Sequence, residues 1–300
     1  SRLGIFPEDG VPFMQQLSAI PGLCVQGMFT HFARSDEAER VTTIWQNERF
    51  SALVTALNAA GLRPALVHAA NSAAALYFPG AHYDIVRSGI AIYGLQPSDE
   101  APLPPGFTPA LTWKARLSSV KIIPPAQGVG YAYRYTTRSA ERIGVVTAGY
   151  ADGLRRRHGI NAALVGGQRV PVLGGICMDQ VMVQLDSVPG AKIGDEVVLI
   201  GRQGDAQLTA EEIGLAWGSI NYDVVCGLAA RLERRPLQPG ADLSAHLAGG
   251  SPDIPQSVDL LNKSVEPIRE MGVEIVDSID ALLEKVDAVL ILSIYVLFLR

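Results

Sequence analysis

Three tyrosines recur at every second position of GVGYAYRY: Tyr131, Tyr133 and Tyr135. In a β-strand, alternate side chains share one face, so the stretch reads first as an aromatic stripe on a half-buried sheet. The sharper alternative is that one phenol, set just after a glycine turn, is an acid/base group. An unperturbed phenol titrates near about 10, so such a group needs positive charge nearby. Other residues carry similar double readings. Arg87 lies inside the apolar run DIVRSGIAIYG, where a charge is costly unless it is paired or holds a ligand. His31 ends an apolar stretch and is either a hydrogen-bonded core histidine or a site group. Ser72 follows Asn71 at a helix start and is either a cap or a phosphate ligand. Gly89 and Ile90 offer backbone N–H groups where glycine lets a ligand approach. GGICMDQ, residues 174–180, is either a hairpin or a site loop.

The elements that would position these groups fall into three zones. Over residues 1–105, helical and strand patterns alternate. Pro12–Leu17 opens a helix. Leu23–Phe32 is expected as a buried strand. Ser35, Asp36 and Glu37 are expected to cap a helix over Ile44–Ala60 that Gly61 stops. Ala65–Ala70 and Asp84–Gly94 are expected as two further strands. This order predicts a parallel sheet covered by helices, with Thr30, His31, His68, Asn71, Ser72 and Arg87 gathered at the strand ends that bear ligand chemistry. Three such units are too few to close an eight-stranded barrel. The proline-rich APLPPGFTPA marks a boundary. Residues 106–238 then read as short strands between glycine turns, an all-β domain of barrel type. Residues 239–300 read as loop, helix, strand, helix and strand, with an apolar run of 12 residues at Ala288–Leu299, too short for a membrane helix.

Composition excludes several classes. The 300 residues are 48% hydrophobic with net charge −5, so no basic surface recruits nucleic acid or anionic lipid. Cys24, Cys177 and Cys226 have no metal spacing and fit a reducing cytoplasm better than a disulfide framework. The five histidines give no metal set, and neither GxSxG nor a Walker loop occurs. The opening residues lack the pattern of a signal peptide.

HFARSDE, HAANSAAAL, DIVRSGIAIYG, GVGYAYRY, TAGYADGLRR, GICMDQVMV and INYDVVCG together resemble bacterial alanine racemase, in order and over residues 2–236. The resemblance implies a pyridoxal-phosphate enzyme made of an eight-stranded β/α barrel and a C-terminal β-domain. It implies interconversion of L- and D-alanine by two-base proton transfer on a pyridoxal-phosphate aldimine, for cell-wall D-alanine or alanine catabolism, in a cytoplasmic homodimer with shared active sites. By resemblance, Tyr131 is one base, and His31 bridges it to Arg87, which contacts the pyridine nitrogen. Ser72, Gly89, Ile90 and Tyr222 resemble the phosphate-binding set. Arg2, Tyr150 and Met178 resemble the substrate-binding and entrance groups.

The chain also departs from that pattern. The family's other base is a Schiff-base lysine in a context like VKANAYGHG, and this chain has no such segment; its lysines are Lys114, Lys121, Lys192, Lys263 and Lys285. Gly175 stands where an arginine is usual, and LERRP replaces the usual closing run. The expectation is therefore α/β plus all-β: the C-terminal half of a β/α barrel, then a β-barrel-like domain, then an unrelated tail. On this reading the chain is an N-terminally truncated racemase, inactive alone. A serine or broad-specificity racemase of the same fold, and a non-catalytic subunit-association module, remain alternatives.

Overall fold

A computed structural model describes residues 3–157 and 159–235. The chain divides into two compact units between Thr108 and Pro109. Arg2 and the elements expected over residues 239–300 lie outside the described residues.

In the first unit, α1 (Gly10–Ser18) packs on α2 (Val41–Ala59) where Gly10 leaves no room for a side chain beside Leu53. Helix α2 stops as expected at Gly61 (φ 68°). The Leu62 N–H reaches Leu57 O at 2.8 Å and the Gly61 N–H reaches Asn58 O at 3.1 Å. Its start differs from expectation. Arg40 is the N-cap residue and makes no side-chain cap. Ser35 is buried and donates instead to Asn71 Oδ1 at 2.8 Å.

Two short strands, β1 (Gly27–Phe29) and β2 (Leu66–His68), pair in parallel with Phe29 opposite His68. The expected buried strand over Leu23–Phe32 is thus three residues long, and Phe29 is 46% exposed. Asp84–Gly94 is not a strand either. It touches the sheet through one parallel bridge, His68 to Ile85, and then winds into a 3-10 turn, Ile90–Tyr93, closed by Gly94 at φ 68°. Apolar character made this run look like a strand, and glycine at each end of the turn lets it coil instead. Helix α3 (Ser72–Tyr77) follows β2, and its N-cap is Asn71, whose Oδ1 accepts the Ala74 N–H at 3.1 Å. Phe32, Phe50, Val67 and the alanines of α3 fill the core between sheet and helices.

The second unit is antiparallel. Its strands are β3 (Trp113–Ile123), β4 (Gly128–Val129), β5 (Tyr135–Thr136), β6 (Glu141–Val146), β7 (Ala162–Val165), β8 (Gln168–Leu173), β9 (Val181–Gln184), β10 (Glu196–Gln203) and β11 (Ala206–Leu208). The order β10-β3-β6-β9-β8-β7 closes on itself because β7 also pairs with β10, so the sheet is a barrel with β11 added outside β10. Gly166 (φ 58°) and Gly167 (φ 74°) supply the two left-handed positions of the β7–β8 turn. Helices α4 (Ala210–Ala216) and α5 (Asn221–Cys226) follow. Thr209 caps α4 by accepting the Glu212 N–H at 3.1 Å.

The tyrosine stripe is not a strand. Strands β4 and β5 form a separate hairpin, and Tyr131–Tyr133 is an irregular turn at its tip. Gly130 (φ 73°), Ala132 (φ 57°) and Tyr133 (φ 44°) all lie in the left-handed region, which reverses the chain and scatters the three rings.

Candidate active site

The first unit gathers its polar strand ends around Arg87. One guanidinium nitrogen lies 2.7 Å from His68 Nδ1. The other donates to Thr30 O at 3.0 Å and Ala69 O at 3.3 Å, and lies 3.1 Å from His31 Nδ1. The guanidinium carbon also stands 5.1 Å from the centre of the Phe29 ring, which stacks on His68. No carboxylate pairs with Arg87 among the described residues. Burial pulls its pKa down to about 10, so it stays a cation at neutrality. His68 is pushed the same way. Burial, then the Arg87 charge, lowers it from 6.5 to about 4, so it is neutral and accepts at Nδ1. His31 is exposed, so it is not a core histidine.

Beside this cluster, Ser72 is buried at the first position of α3. Asn71 does the capping. The Ser72 hydroxyl instead accepts the Gly89 N–H at 2.8 Å and the Ala91 N–H at 3.3 Å. A serine oxygen has two lone pairs and one proton, so both lone pairs are used and the proton remains to be donated. Gly89 and Ile90 open the 3-10 turn, whose first N–H groups have no acceptor within the turn. The Gly89 N–H is taken up by Ser72, so the Ser72 hydroxyl proton and the Ile90 N–H are the donors this patch leaves for an anion.

The second unit brings Tyr131, Tyr150 and Met178 together through three interlocked loops. A Cβ at Gly149 would collide with backbone atoms of Cys177, Met178 and Asp179. That close approach lets the Tyr150 N–H reach Cys177 O at 3.0 Å and the Ala151 N–H reach Met178 O at 2.8 Å. On the other side, Gly174 (φ 65°) runs so near β4 that a Cβ would sit 2.6 Å from Val129 O, and a Cβ on Gly175 would lie 3.5 Å from Tyr131 O. Residues 174–180 are thus both a β8–β9 hairpin loop and a shared support. Tyr131 is 65% exposed, Met178 54% and Tyr150 39%, so all three side chains present themselves to solvent. Tyr222 lies on α5 of the same unit, half-buried.

Two supporting residues were missed by sequence reading. Buried Asp152 accepts the Gly149 N–H at 2.8 Å on one oxygen and Arg231 Nε at 2.7 Å on the other, which holds the Tyr150 turn. Like the acid of a capping box, it reaches back three residues to a backbone N–H, and its place after Gly149 was a usable signal for that. His68 was noted only as a strand end, because its meeting with Arg87 depends on the pairing of β1, β2 and Ile85. Among the described residues no cluster of histidine, cysteine, aspartate or glutamate is arranged for a metal, and no helix is long and apolar enough to cross a membrane.

A family model for the alanine racemase N-terminal domain matches residues 1–97, and one for the alanine racemase C-terminal domain matches residues 110–236. The chain belongs to the alanine racemase family. It is 44% identical to alanine racemase of Desulfovibrio desulfuricans, covering 78% of this chain and 62% of that one. It is 42% identical to alanine racemase 1 of Bacillus subtilis, covering 80% and 61%. Among solved structures it is similar to alanine racemase of Bacillus anthracis with bound L-Ala-P, with 38% identity, a TM-score of 0.73 and coverage of 77% and 60%. The chain thus spans about 62% of the length of such curated relatives. The fold is the family's so far as the chain spans it: part of the N-terminal barrel domain, then the C-terminal β-domain.

The residues present fit part of pyridoxal phosphate, the cofactor that the sequence resemblance implies. A cation held by two imidazoles and three ring or carbonyl contacts, with no carboxylate, suits a ring nitrogen that can only accept. The spare Ser72 proton suits a phosphate oxygen. No lysine occurs in residues 1–108.

Proposed function

We propose that this chain carries the cofactor-ring, phosphate and tyrosine-base portions of a pyridoxal-phosphate-dependent alanine racemase. The observation that carries the reading is Arg87, a cation shared between His31 and His68 without any acid, beside a serine whose proton is unspent. Arg87 would donate to the pyridine nitrogen. An arginine keeps its proton, so that nitrogen stays unprotonated and the electron sink is tempered. Ser72, Gly89, Ile90 and Tyr222 would hold the phosphate. When bound, pyridoxal phosphate supplies the sink that makes the Cα proton of alanine removable. Tyr131 takes or returns that proton on one face. The Met178 loop and Arg2 hold the substrate carboxylate, and Tyr150 narrows the entrance. His31 links Tyr131 to Arg87, and the tyrosine and the Met178 loop come from a partner subunit, so the working form is a homodimer. All three cysteines lie within the described residues and are free, which supports a cytoplasmic site of action.

Residues 1–108 hold no lysine to act as the second base, so these 300 residues are expected to need a lysine-bearing segment to racemise. The test is a racemase assay on the purified chain, with and without a fragment of a relative that bears the lysine segment. Activity is expected only in the mixture, and Tyr131→Phe should lower it by about 100-fold or more. Activity of the chain alone, or a fully active Tyr131→Phe mixture, overturns the reading. Racemisation of a larger amino acid such as serine is favoured by one feature. Gly175 has neither a strained φ nor a colliding neighbour, and a Cβ there would only touch Tyr131, so the glycine leaves extra room beside Tyr131 without backbone need. The ratio of kcat/KM for serine and alanine decides between them.

A further inference from the structure

Glu141 is a buried carboxylate that the reaction does not use. It is 3% exposed and sits at the start of β6, in the barrel wall. Burying a carboxylate is costly unless donors surround it. Here the Tyr135 hydroxyl donates to Oε2 at 2.6 Å, the Arg138 N–H to Oε1 at 2.8 Å, and Gln184 Nε2 approaches Oε2 at 3.4 Å. Tyr135 is the first residue of β5, four residues after Tyr131. Its ring packs with Val129, Ile143 and Leu173 beneath the hairpin. Burial first, then Glu141, pushes its phenol up to about 12, so it stays a neutral donor.

The hairpin needs such an anchor. Strands β4 and β5 share only two residue pairs, Gly128 with Thr136 and Val129 with Tyr135. Between them stand Ala132 and Tyr133, both left-handed without being glycine, a conformation that persists only where surroundings enforce it. One end is held by buried Thr137, whose hydroxyl donates to Pro124 O at 2.6 Å and accepts the Gln127 N–H at 2.9 Å. Besides the packing of Val129, Tyr135 ties the hairpin to the barrel wall through a side-chain hydrogen bond.

We propose that Tyr135 and Glu141 are positioning residues for Tyr131: their hydrogen bond fixes to the barrel wall the hairpin that displays the Tyr131 phenol. This rests on Tyr131 acting as the base, and the test separates the two ideas. Tyrosines of the full chain are labelled with carbon-13 at Cζ, and the Tyr131 signal is assigned from Tyr131→Phe. Tyr135→Phe and Glu141→Leu should shift or broaden the Tyr131 signal, while Tyr77 and Tyr83 in the first unit stay put. Glu141→Gln keeps an acceptor oxygen and should leave Tyr131 near its original signal. In the complemented racemase assay, Tyr135→Phe should lower kcat roughly tenfold or more with KM little changed, and Glu141→Gln should restore most of it. A Tyr131 signal unmoved in Tyr135→Phe overturns the clamp, as does an unchanged kcat alongside a lowered melting temperature. If no mixture is active, the base assignment fails while the spectra still decide the clamp.

Discussion

At the scale of single residues, the unusual group is His68. The folded protein holds it neutral down to about 4, while the unfolded chain takes up a proton below 6.5. The first unit is therefore at full stability above pH 6.5 and weakens as pH drops toward 4, because protonation then favours the unfolded state. Thermal unfolding between pH 7 and 5 should show this decline, and His68→Gln, which keeps an acceptor for Arg87, should flatten it. Ser72 makes a second expectation. Ser72→Ala removes the spare donor and should weaken pyridoxal phosphate binding by about 10- to 100-fold, as for a hydrogen bond to a charged group. Pyridoxal without the phosphate should bind both proteins alike in a fluorescence titration. These roles were only half legible in the sequence. Arg87 stood out because a charge in an apolar run demands a reason. His68 did not, because its role comes from a parallel register, Phe29 to His68 and His68 to Ile85, that no local pattern encodes.

At the scale of elements, glycine decides how the loops meet. Gly149→Ala would drive its methyl into the backbone of Cys177, Met178 and Asp179. The second unit should lose about 1–3 kcal/mol, the usual cost of forcing atoms into a packed site, measurable by denaturant unfolding. The strands of this unit were readable from alternation and glycine turns, as at Gly166 and Gly167. GVGYAYRY was not. Its period-two tyrosines satisfy a strand pattern, but Gly130 and two left-handed residues turn the chain at the tip. The third strand failed for a related reason: an apolar run between glycines fits a strand and a 3-10 turn equally well.

At the scale of the whole molecule, the two units differ in how their sheets end. The described part of the first contains a two-stranded parallel sheet, and the second is a closed ring of antiparallel strands with its own core. Closed ladders leave no backbone edge unpaired and bury apolar residues on the inside. A chain cut to residues 109–235 should therefore keep a cooperative thermal transition followed by circular dichroism; a broad, non-cooperative melt would show that the ring depends on the rest of the chain. The change from βα alternation to short strands was plain in the sequence, because periodicity shifts at the proline-rich linker. Pairing of β7 with β10 was not, since it joins strands about thirty residues apart.

The interlocked loops of the second unit have a consequence for how this sequence can drift. Backbones touch at Gly149 against Met178 and at Gly174 against Val129, so a residue inserted into any one loop must be absorbed by the other two. The Tyr131, Tyr150 and Met178 loops are therefore expected to keep their lengths together. Variation in length is free at turns such as Gly204, where a Cβ would meet nothing within 4 Å.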